Sequence, residues 1–237
     1  MIAAALGFSV GGLLSASQAT AGRPQCKTRS MERPILHTAR LELIPLNDAH
    51  LELEVELDSD PEVLRYLDGR ALTRAEVQQA HRRRMRAGDK IPGLGFWVGF
   101  HARQFVGFWM LQPPHGPDQR QVPGEADLGY RLLRRWWRQG LASEGARELL
   151  RYGLVDVDLH RIFGQTLAVN GPSRAVMAAI GMTYVRAFPS ASLEPLVDGS
   201  DRGEVEYEIT RDQWPDDPRR CESPAAVGPA SGRLHRP

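Results

Sequence analysis

Lysine and cysteine are scarce in this chain of 237 residues. It holds only two lysines, so arginine carries nearly all of its positive charge, and the formal net charge is +1 at pH 7. Such a balance gives no basis for binding nucleic acid or a membrane surface. The two cysteines, Cys26 and Cys221, form neither a metal-ligand pattern nor a disulfide framework, which is typical of the reducing cytoplasm. We therefore expect a cytoplasmic protein.

The chain also lacks a long uninterrupted apolar run. Residues 1–22 are rich in Ala, Gly and Ser and carry no charged side chain, but glycine and serine interrupt them too often for a membrane span. No Lys or Arg precedes the apolar part, so the basic start of an export signal is missing. We interpret residues 1–32 as an over-extended or disordered leader, and residues 215–237, rich in Pro, Arg, Ala and Gly, as a disordered tail.

Between these ends, residues 33–214 have the composition of one folded domain. The whole chain is 42% apolar and 25% charged, which supports a packed core. Apolar alternation predicts strands at residues 40–46, 95–100, 104–112, 126–132, 161–169, 184–188 and 204–210. Capping residues and helical spacing predict helices at residues 73–88, 143–154 and 170–181. The histidines are scattered without metal-ligand spacing, so we expect no metal.

Residues 51–57 carry conflicting signals. Leucine and valine alternate with glutamate there, which is a strand pattern. Asn47 and Asp48 precede the segment as good helix caps, and Leu and Glu are good helix formers. We predict a helix.

The most informative segment is WWRQGLASEG at residues 136–145. It follows a predicted strand and opens a predicted helix, so it forms a loop at a helix N-terminus. Such a terminus offers unpaired backbone N–H groups and a positive partial charge, which together bind a phosphate. Gly140 and Ala142 have almost no side chain to keep a phosphate away from those amides.

Two common phosphate loops do not match this segment. A nucleoside-triphosphate loop needs Lys followed by Ser or Thr after its last glycine, and neither stands there. A dinucleotide fingerprint needs Gly-x-Gly-x-x-Gly, and Ala142 replaces its second glycine. A dinucleotide fold also places its loop after the first strand, whereas this loop follows about four predicted strands.

The segment and its surroundings resemble the GNAT superfamily of acyl-CoA-dependent N-acyltransferases. Its phosphate loop has the pattern Gln/Arg-x-x-Gly-x-Gly/Ala, and Trp137 stands here in the Gln/Arg position. That replacement is similar to the ribosomal-protein N-terminal acetyltransferase branch (RimJ/RimL-like). Residues 38–43 (TARLEL), 126–130 (ADLGY), 170–173 (NGPS) and 204–214 also resemble segments of that branch in the same order.

The resemblance implies an α/β fold, the GNAT fold. Its central mixed sheet is mostly antiparallel, with about six or seven strands and about four flanking helices. Strands four and five splay apart, and the pantetheine arm of the coenzyme pairs with the edge of the fourth strand, here residues 126–132. The resemblance also favours a helix at residues 51–57. The implied coenzyme-binding residues are Arg138, Gln139, Gly140, Leu141, Ala142, Asn170 and Ser173.

Catalytic roles follow from the chemistry of an amine attacking a thioester, which needs a proton acceptor and an acid for the thiolate. Many superfamily members use a tyrosine as the acid, but Met177 stands in that position. We expect Ser173 to replace it. Asp127 matches the family's glutamate on strand four and is the expected base, acting through water. We interpret Tyr130 as a core residue.

We therefore expect an N-acetyltransferase that uses acetyl-CoA. Its acceptor would be a protein N-terminus or a small-molecule amine, and it would be a monomer or homodimer with no nucleic-acid or membrane partner. The rival hypothesis is a non-catalytic acyl-CoA-binding module, suggested by the missing tyrosine and by Asp127 in place of glutamate.

Overall fold

A computed structural model describes residues 33–88, 91–116, 119–190, 197, 199 and 203–215. The predicted leader and nearly all of the predicted tail lie outside these residues. The strands are β1 (Leu36–His37), β2 (Glu42–Pro45), β3 (Gly95–His101), β4 (Gln104–Gln112), β5 (Glu125–Leu132), β6 (Arg161–Leu167), β7 (Thr183–Phe188) and β8 (Glu204–Thr210). The helices are α1 (Leu51–Asp58), α2 (Arg74–Gly88), α3 (Leu141–Arg151) and α4 (Gly171–Ala179).

The described strands form one sheet of mixed direction. Its order is β1-β2-β3-β4-β5-β6-β8-β7. All neighbours are antiparallel except β5 and β6, which run parallel. A parallel pair needs a long crossover, and α3 lies in the connection between these two strands.

The predicted elements are confirmed, with shifts at their ends. The disputed segment at residues 51–57 is the helix α1. Helix α3 begins two residues before the predicted start and passes at Tyr152 into a wider helical turn that ends at Asp156. The sheet has eight described strands rather than six or seven, because the short β1 pairs with β2. Two residues carry too little pattern to predict such a strand.

Apolar side chains cover both faces of the sheet. One core lies between the sheet and α3 and α4 and contains Trp109, Leu149 and Met177. The other lies on the α1 side and contains Leu57, Phe96 and Phe108. Within the described ranges, no helix combines the length and apolar content that a membrane crossing requires.

Buried ion pairs join α1 and α2 to β5. Arg84 of α2 contacts Glu54 and lies 3.1 Å from Asp58 of α1. Asp58 also lies 3.2 Å from the guanidinium of Arg131, whose burial lowers its pKa to about 10. His81 contacts Glu54 from the neighbouring turn of α2. Because removing one partner leaves a buried charge unpaired, these residues fix the two helices against the middle of the sheet.

Strands β5 and β6 pair over three residues and then separate. The paired positions are Glu125 with Arg161, Ala126 with Ile162, and Asp127 with Phe163. β6 stays paired with β8 along its whole length, while β5 stays paired with β4 up to Leu132. The sheet therefore opens between β5 and β6 beyond Asp127, as the splay of strands four and five predicts.

Close packing of α3 on the sheet gives a stability prediction. A Cβ added at Gly145 would lie 2.5 Å from the ring of Trp109, which is fully buried. We expect Gly145→Ala to lower the free energy of unfolding by about 1–3 kcal/mol, since the ring cannot yield without disturbing the core. Urea denaturation measures this change.

The matched control is Gly171→Ala at the start of α4. A Cβ there meets no atom within 4 Å, so stability should be unchanged or slightly higher because alanine favours helix. Equal unfolding midpoints for the two variants would contradict the close approach of α3 to Trp109.

Candidate active site

The loop between β5 and α3 is shaped by two left-handed residues. Arg138 has φ 60° and Gly140 has φ 77°. Gly140 occupies the position before the first turn of α3, and no side chain caps that end of the helix. The amides of the first turn therefore remain available to an anion, as the sequence predicts.

A clamp from the start of the domain holds this loop. Thr38 donates to Oε1 of Glu144 at 2.6 Å, and the Nε of Arg40 donates to Oε2 at 2.7 Å. Arg40 also donates to the carbonyl oxygen of Gln139 at 2.9 Å. Partial burial acts to raise the pKa of Glu144, but the hydrogen bonds from Thr38 and Arg40 outweigh it and the net pKa is lowered. Glu144 thus fixes the loop as an ion.

The free edge of β5 faces the opening. Leu133 N donates to Val106 O on β4, so by antiparallel alternation the backbone groups of Leu128, Tyr130 and Leu132 point away from β4 and toward β6. Trp137 Nε1 donates a hydrogen bond to the carbonyl oxygen of Leu132 at 2.7 Å, so that oxygen already has a partner. Tyr130, beyond the last paired position of the two strands, can therefore pair with an extended ligand that enters between them.

The start of α4 forms the opposite wall. The side chain of Asn170 caps this helix by accepting from Ser173 N at 3.3 Å, and it donates to Thr166 Oγ1 at 2.9 Å. The Tyr130 hydroxyl donates to Ser173 O at 3.1 Å and lies 3.2 Å from Ser173 Oγ. Burial raises the pKa of Tyr130, so its hydroxyl keeps its proton.

These walls enclose a cavity of about 500 Å³, a volume typical of small-ligand sites. Its lining includes Arg138, Gly140, Leu141 and Ala142 of the loop, Tyr130 and Arg131 of β5, Asn170 and Ser173 of α4, and Glu62, Arg65 and Tyr66 of the segment after α1. Gln139 is absent from this lining, although its carbonyl helps to fix the loop through Arg40.

Asp127 lies at the point where β5 and β6 part, and it is fully buried. It is not among the residues that line the cavity. Its side chain lies across the sheet from that of Tyr130, because side chains alternate along a strand. Gln119 donates to Asp127 Oδ2 at 3.0 Å, whereas Oδ1 has no hydrogen-bond partner among the described residues. Burial raises the pKa of Asp127 well above its usual value.

Tyr130, Arg40 and Gln119 are site residues that sequence reasoning missed. Tyr130 is buried as predicted, yet its hydroxyl also reaches Ser173. The similarity of residues 38–43 to the family was the one signal for the clamp. Gln119 lies in a Pro/Gly-rich loop without a motif, so nothing in the sequence pointed to it.

Met177, at the position of the family's tyrosine, is buried in the core. Within the described part of the chain, no three His, Cys, Asp or Glu residues are grouped to hold a metal ion.

Comparisons of this chain with known proteins agree with the fold and the site described above. A family described as acetyltransferase (GNAT) domain matches residues 40–183. FsC-acetyl coenzyme A-N(2)-transacetylase of Aspergillus fumigatus is 42% identical over 185 residues, 77% of this chain and 78% of that protein. An uncharacterized N-acetyltransferase, p20 of Bacillus licheniformis, is 28% identical over 145 residues, 58% of this chain and 76% of its own.

Solved structures share the fold. The ribosomal L7/L12 alpha-N-protein acetyltransferase RimL in complex with coenzyme A has a TM-score of 0.62 at 19% identity, covering 76% of this chain and 98% of its own. The spermidine N-acetyltransferase of Vibrio cholerae in complex with CoA and spermine has a TM-score of 0.60 at 14% identity, covering 74% and 98%. At this identity the likeness extends to the fold alone, so the RimJ/RimL-like branch stays a prediction.

The loop geometry predicts how a charge at Gly140 affects coenzyme A binding. Gly140→Glu should abolish binding measured by calorimetry, since a carboxylate would repel the pyrophosphate at the uncapped helix end. The control Gly140→Asn should bind within about tenfold of the wild type, because asparagine tolerates a left-handed backbone and carries no charge. Undiminished affinity of Gly140→Glu would refute the phosphate assignment.

Proposed function

Since this chain belongs to the GNAT acetyltransferase family and is an N-acetyltransferase, we propose that it transfers acetyl from acetyl-CoA to the primary amine of a small molecule. The transfer is direct, with donor and acceptor bound together. The observation that carries the proposal is the opening between β5 and β6, which has the uncapped end of α3 at its mouth and Asp127 at its apex.

Acetyl-CoA fits the opening in two ways. Its pyrophosphate is held by the amides of residues 138–142, where Gly140 carries no side chain. Its pantetheine arm pairs with the backbone groups of Tyr130, beyond the last β5–β6 pair, as an added strand. Asn170 contributes indirectly, because its side chain fixes the first turn of α4 beside the arm.

The choice of acceptor rests on the fungal relative, whose name assigns it transfer to the N(2) of FsC. That relative shares far more sequence with this chain than the compared solved structures do. A protein N-terminus is the second candidate, favoured by the similarity of residues 137–145 to the N-terminal acetyltransferase branch.

Asp127 accepts a proton from the acceptor amine. An amine must be neutral to attack the thioester carbon, and a buried carboxyl with a raised pKa is a stronger base than an exposed one. Oδ2 is held by Gln119, while the unpaired Oδ1 is the free acceptor. A buried oxygen without a partner is costly, and an amine or a water bound there would remove that cost.

Ser173 donates a hydrogen bond to the sulfur of the leaving thiolate. It lies in the first turn of α4, where the positive end of the helix also favours a developing negative charge. The Tyr130 hydroxyl, 3.2 Å from Ser173 Oγ, fixes the position of that hydroxyl. Tyr130 and Ser173 together thus replace the tyrosine acid whose position Met177 occupies.

A steady-state assay of CoA release tests the proposal. Acetyl-CoA is supplied with a panel of small amines, α-amino compounds and N-terminal peptides. We expect release to depend on a small amine and an acetylated amine to accumulate. Tight CoA binding without acceptor-dependent release would instead support the non-catalytic hypothesis.

Replacement of Ser173 separates catalysis from binding. Ser173→Ala should lower kcat about a hundredfold, because the developing thiolate loses its hydrogen-bond donor, while the affinity for CoA changes little. The exposed Ser59→Ala at the end of α1 is the control and should match the wild type. Equal losses of kcat and of affinity would make Ser173 a binding residue.

Replacement of Asp127 should reduce activity and raise stability together. Because burial raises its pKa, the folded state favours the protonated carboxyl, and ionisation costs stability above the usual pKa of about 3.9. Asp127→Asn should therefore lose turnover yet melt at a higher temperature at pH 7.5. The increase in melting temperature over the wild type should shrink as the pH falls toward 4. A melting temperature below that of the wild type at pH 7.5 would contradict the role of Asp127 as a buried base.

A further inference from the structure

The reaction releases a proton that Asp127 alone cannot return to solvent. An acceptor that arrives as an ammonium ion loses two protons as its N–C bond forms. One proton ends on the coenzyme thiol as the C–S bond breaks, and the other leaves the site. Asp127 would take up that proton, but it is fully buried. A further group must therefore connect Asp127 with water.

We propose that His115 is this group, a relay residue that acts through Asp127 and releases its proton to solvent on the acceptor side of the sheet. The inference rests on the proposed role of Asp127. His115 Nδ1 lies 3.7 Å from Asp127 Oδ2, and about a quarter of the His115 side chain is exposed. Because 3.7 Å is too long for a direct hydrogen bond, the proton transfer needs one bridging water molecule or a small rotation of the ring. His115 thus joins a buried carboxyl to the surface.

The side-chain amide of Gln119 joins the backbone that carries His115 to Asp127. The Oε1 of Gln119 accepts from the backbone N–H groups of His115 and Gly116, at 2.7 and 3.0 Å. Its Nε2 donates to Asp127 Oδ2 and to Gln165 Oε1, at 3.0 and 2.9 Å. The amide therefore fixes the distance between the imidazole and the carboxyl, and it holds Oδ2 so that Oδ1 stays free for the amine.

Both nitrogens of the imidazole have partners that suit a relay. Nδ1 lies 3.3 Å from Pro113 O, and Nε2 lies 3.1 Å from Gln112 Nε2. A carbonyl oxygen only accepts, so Pro113 O stabilises the imidazolium that forms when Nδ1 takes up the proton. Before that step Nδ1 is unprotonated, and Nε2 carries the hydrogen and donates it to the amide oxygen of Gln112. Burial lowers the pKa of His115, which keeps the ring neutral and ready to accept a proton at neutral pH.

The other charged groups near Asp127 are already compensated. Glu206 of β8 lies on the same face, and Arg161 and Arg186 bind its two oxygens at 2.6 and 2.9 Å. Glu204 accepts from Ser190 at 2.9 Å. The neighbours from β4 and β6, Gln112 and Gln165, are neutral amides. Among the described residues around this carboxyl, His115 is therefore the titratable side chain that can take its proton.

Replacement of His115 by a non-titrating residue tests the relay. His115→Gln should lower kcat about ten- to a hundredfold with amine acceptors, leave the KM for acetyl-CoA unchanged, and recover activity as imidazole is added. The control His160→Gln, on an exposed histidine at the same end of the sheet, should keep wild-type kcat and show no response to imidazole. Unchanged kcat, or a loss that imidazole does not restore, would overturn the relay.

A second readout needs no turnover. NMR titration of His115 in the free protein should give a different curve in Asp127→Asn than in the wild type, because the ring and the carboxyl exchange one proton and titrate together. An unchanged His115 pKa would contradict the coupling. If the wild type releases no CoA with any amine, the proposed function fails and the relay with it. Normal turnover of His115→Gln refutes the relay alone.

Discussion

The parting of β5 and β6 is the constraint on which the rest of the molecule depends. These strands are the one parallel pair in the described sheet, and they stay paired for only three positions, of which Asp127 is the last. A strand whose edge opens inside a protein leaves backbone groups without partners, which is costly unless a ligand completes them. Each flanking element is held from outside the gap, β5 by β4 and β6 by β8. The cleft is thus built into the sheet and needs no moving part.

The two faces of the sheet divide the chemistry around that cleft. On the α3 and α4 face lie the uncharged donors that we propose for the coenzyme, namely helix amides, Ser173 and Tyr130. On the other face, Asp127, Gln119 and Gln165 form a polar group under a loop. A base and an acid placed in separate environments keep different pKa values, so one can take up a proton while the other gives one. The sheet itself keeps them from neutralising each other.

Element types and order could be predicted from the sequence because most of them rest on local signals. Helical periodicity, the cap at Asn170 and the glycine at 181 predicted α4. The loop at Gly140 predicted where α3 begins. Long-range pairings carry no such signal. The clamp of Thr38 and Arg40 on Glu144, the bond of Tyr130 to Ser173 and the cover of Gln119 over Asp127 join residues far apart in the chain. Tyr130 shows the limit well, since burial and a role at the site look alike in a sequence.

The clamp also sets when the site can come into being during folding. The bond from Thr38 to Glu144 spans 106 positions of the chain, so the phosphate loop reaches its final shape only after the first and middle parts of the domain have met. Contacts between residues this far apart in the sequence form slowly during folding. An incompletely folded chain therefore presents no coenzyme site, and the coenzyme stabilises the native state alone, by about 2.7 kcal/mol at a hundred times its dissociation constant. Under the proposed function, acetyl-CoA therefore acts on this protein as a folding ligand as well as a substrate.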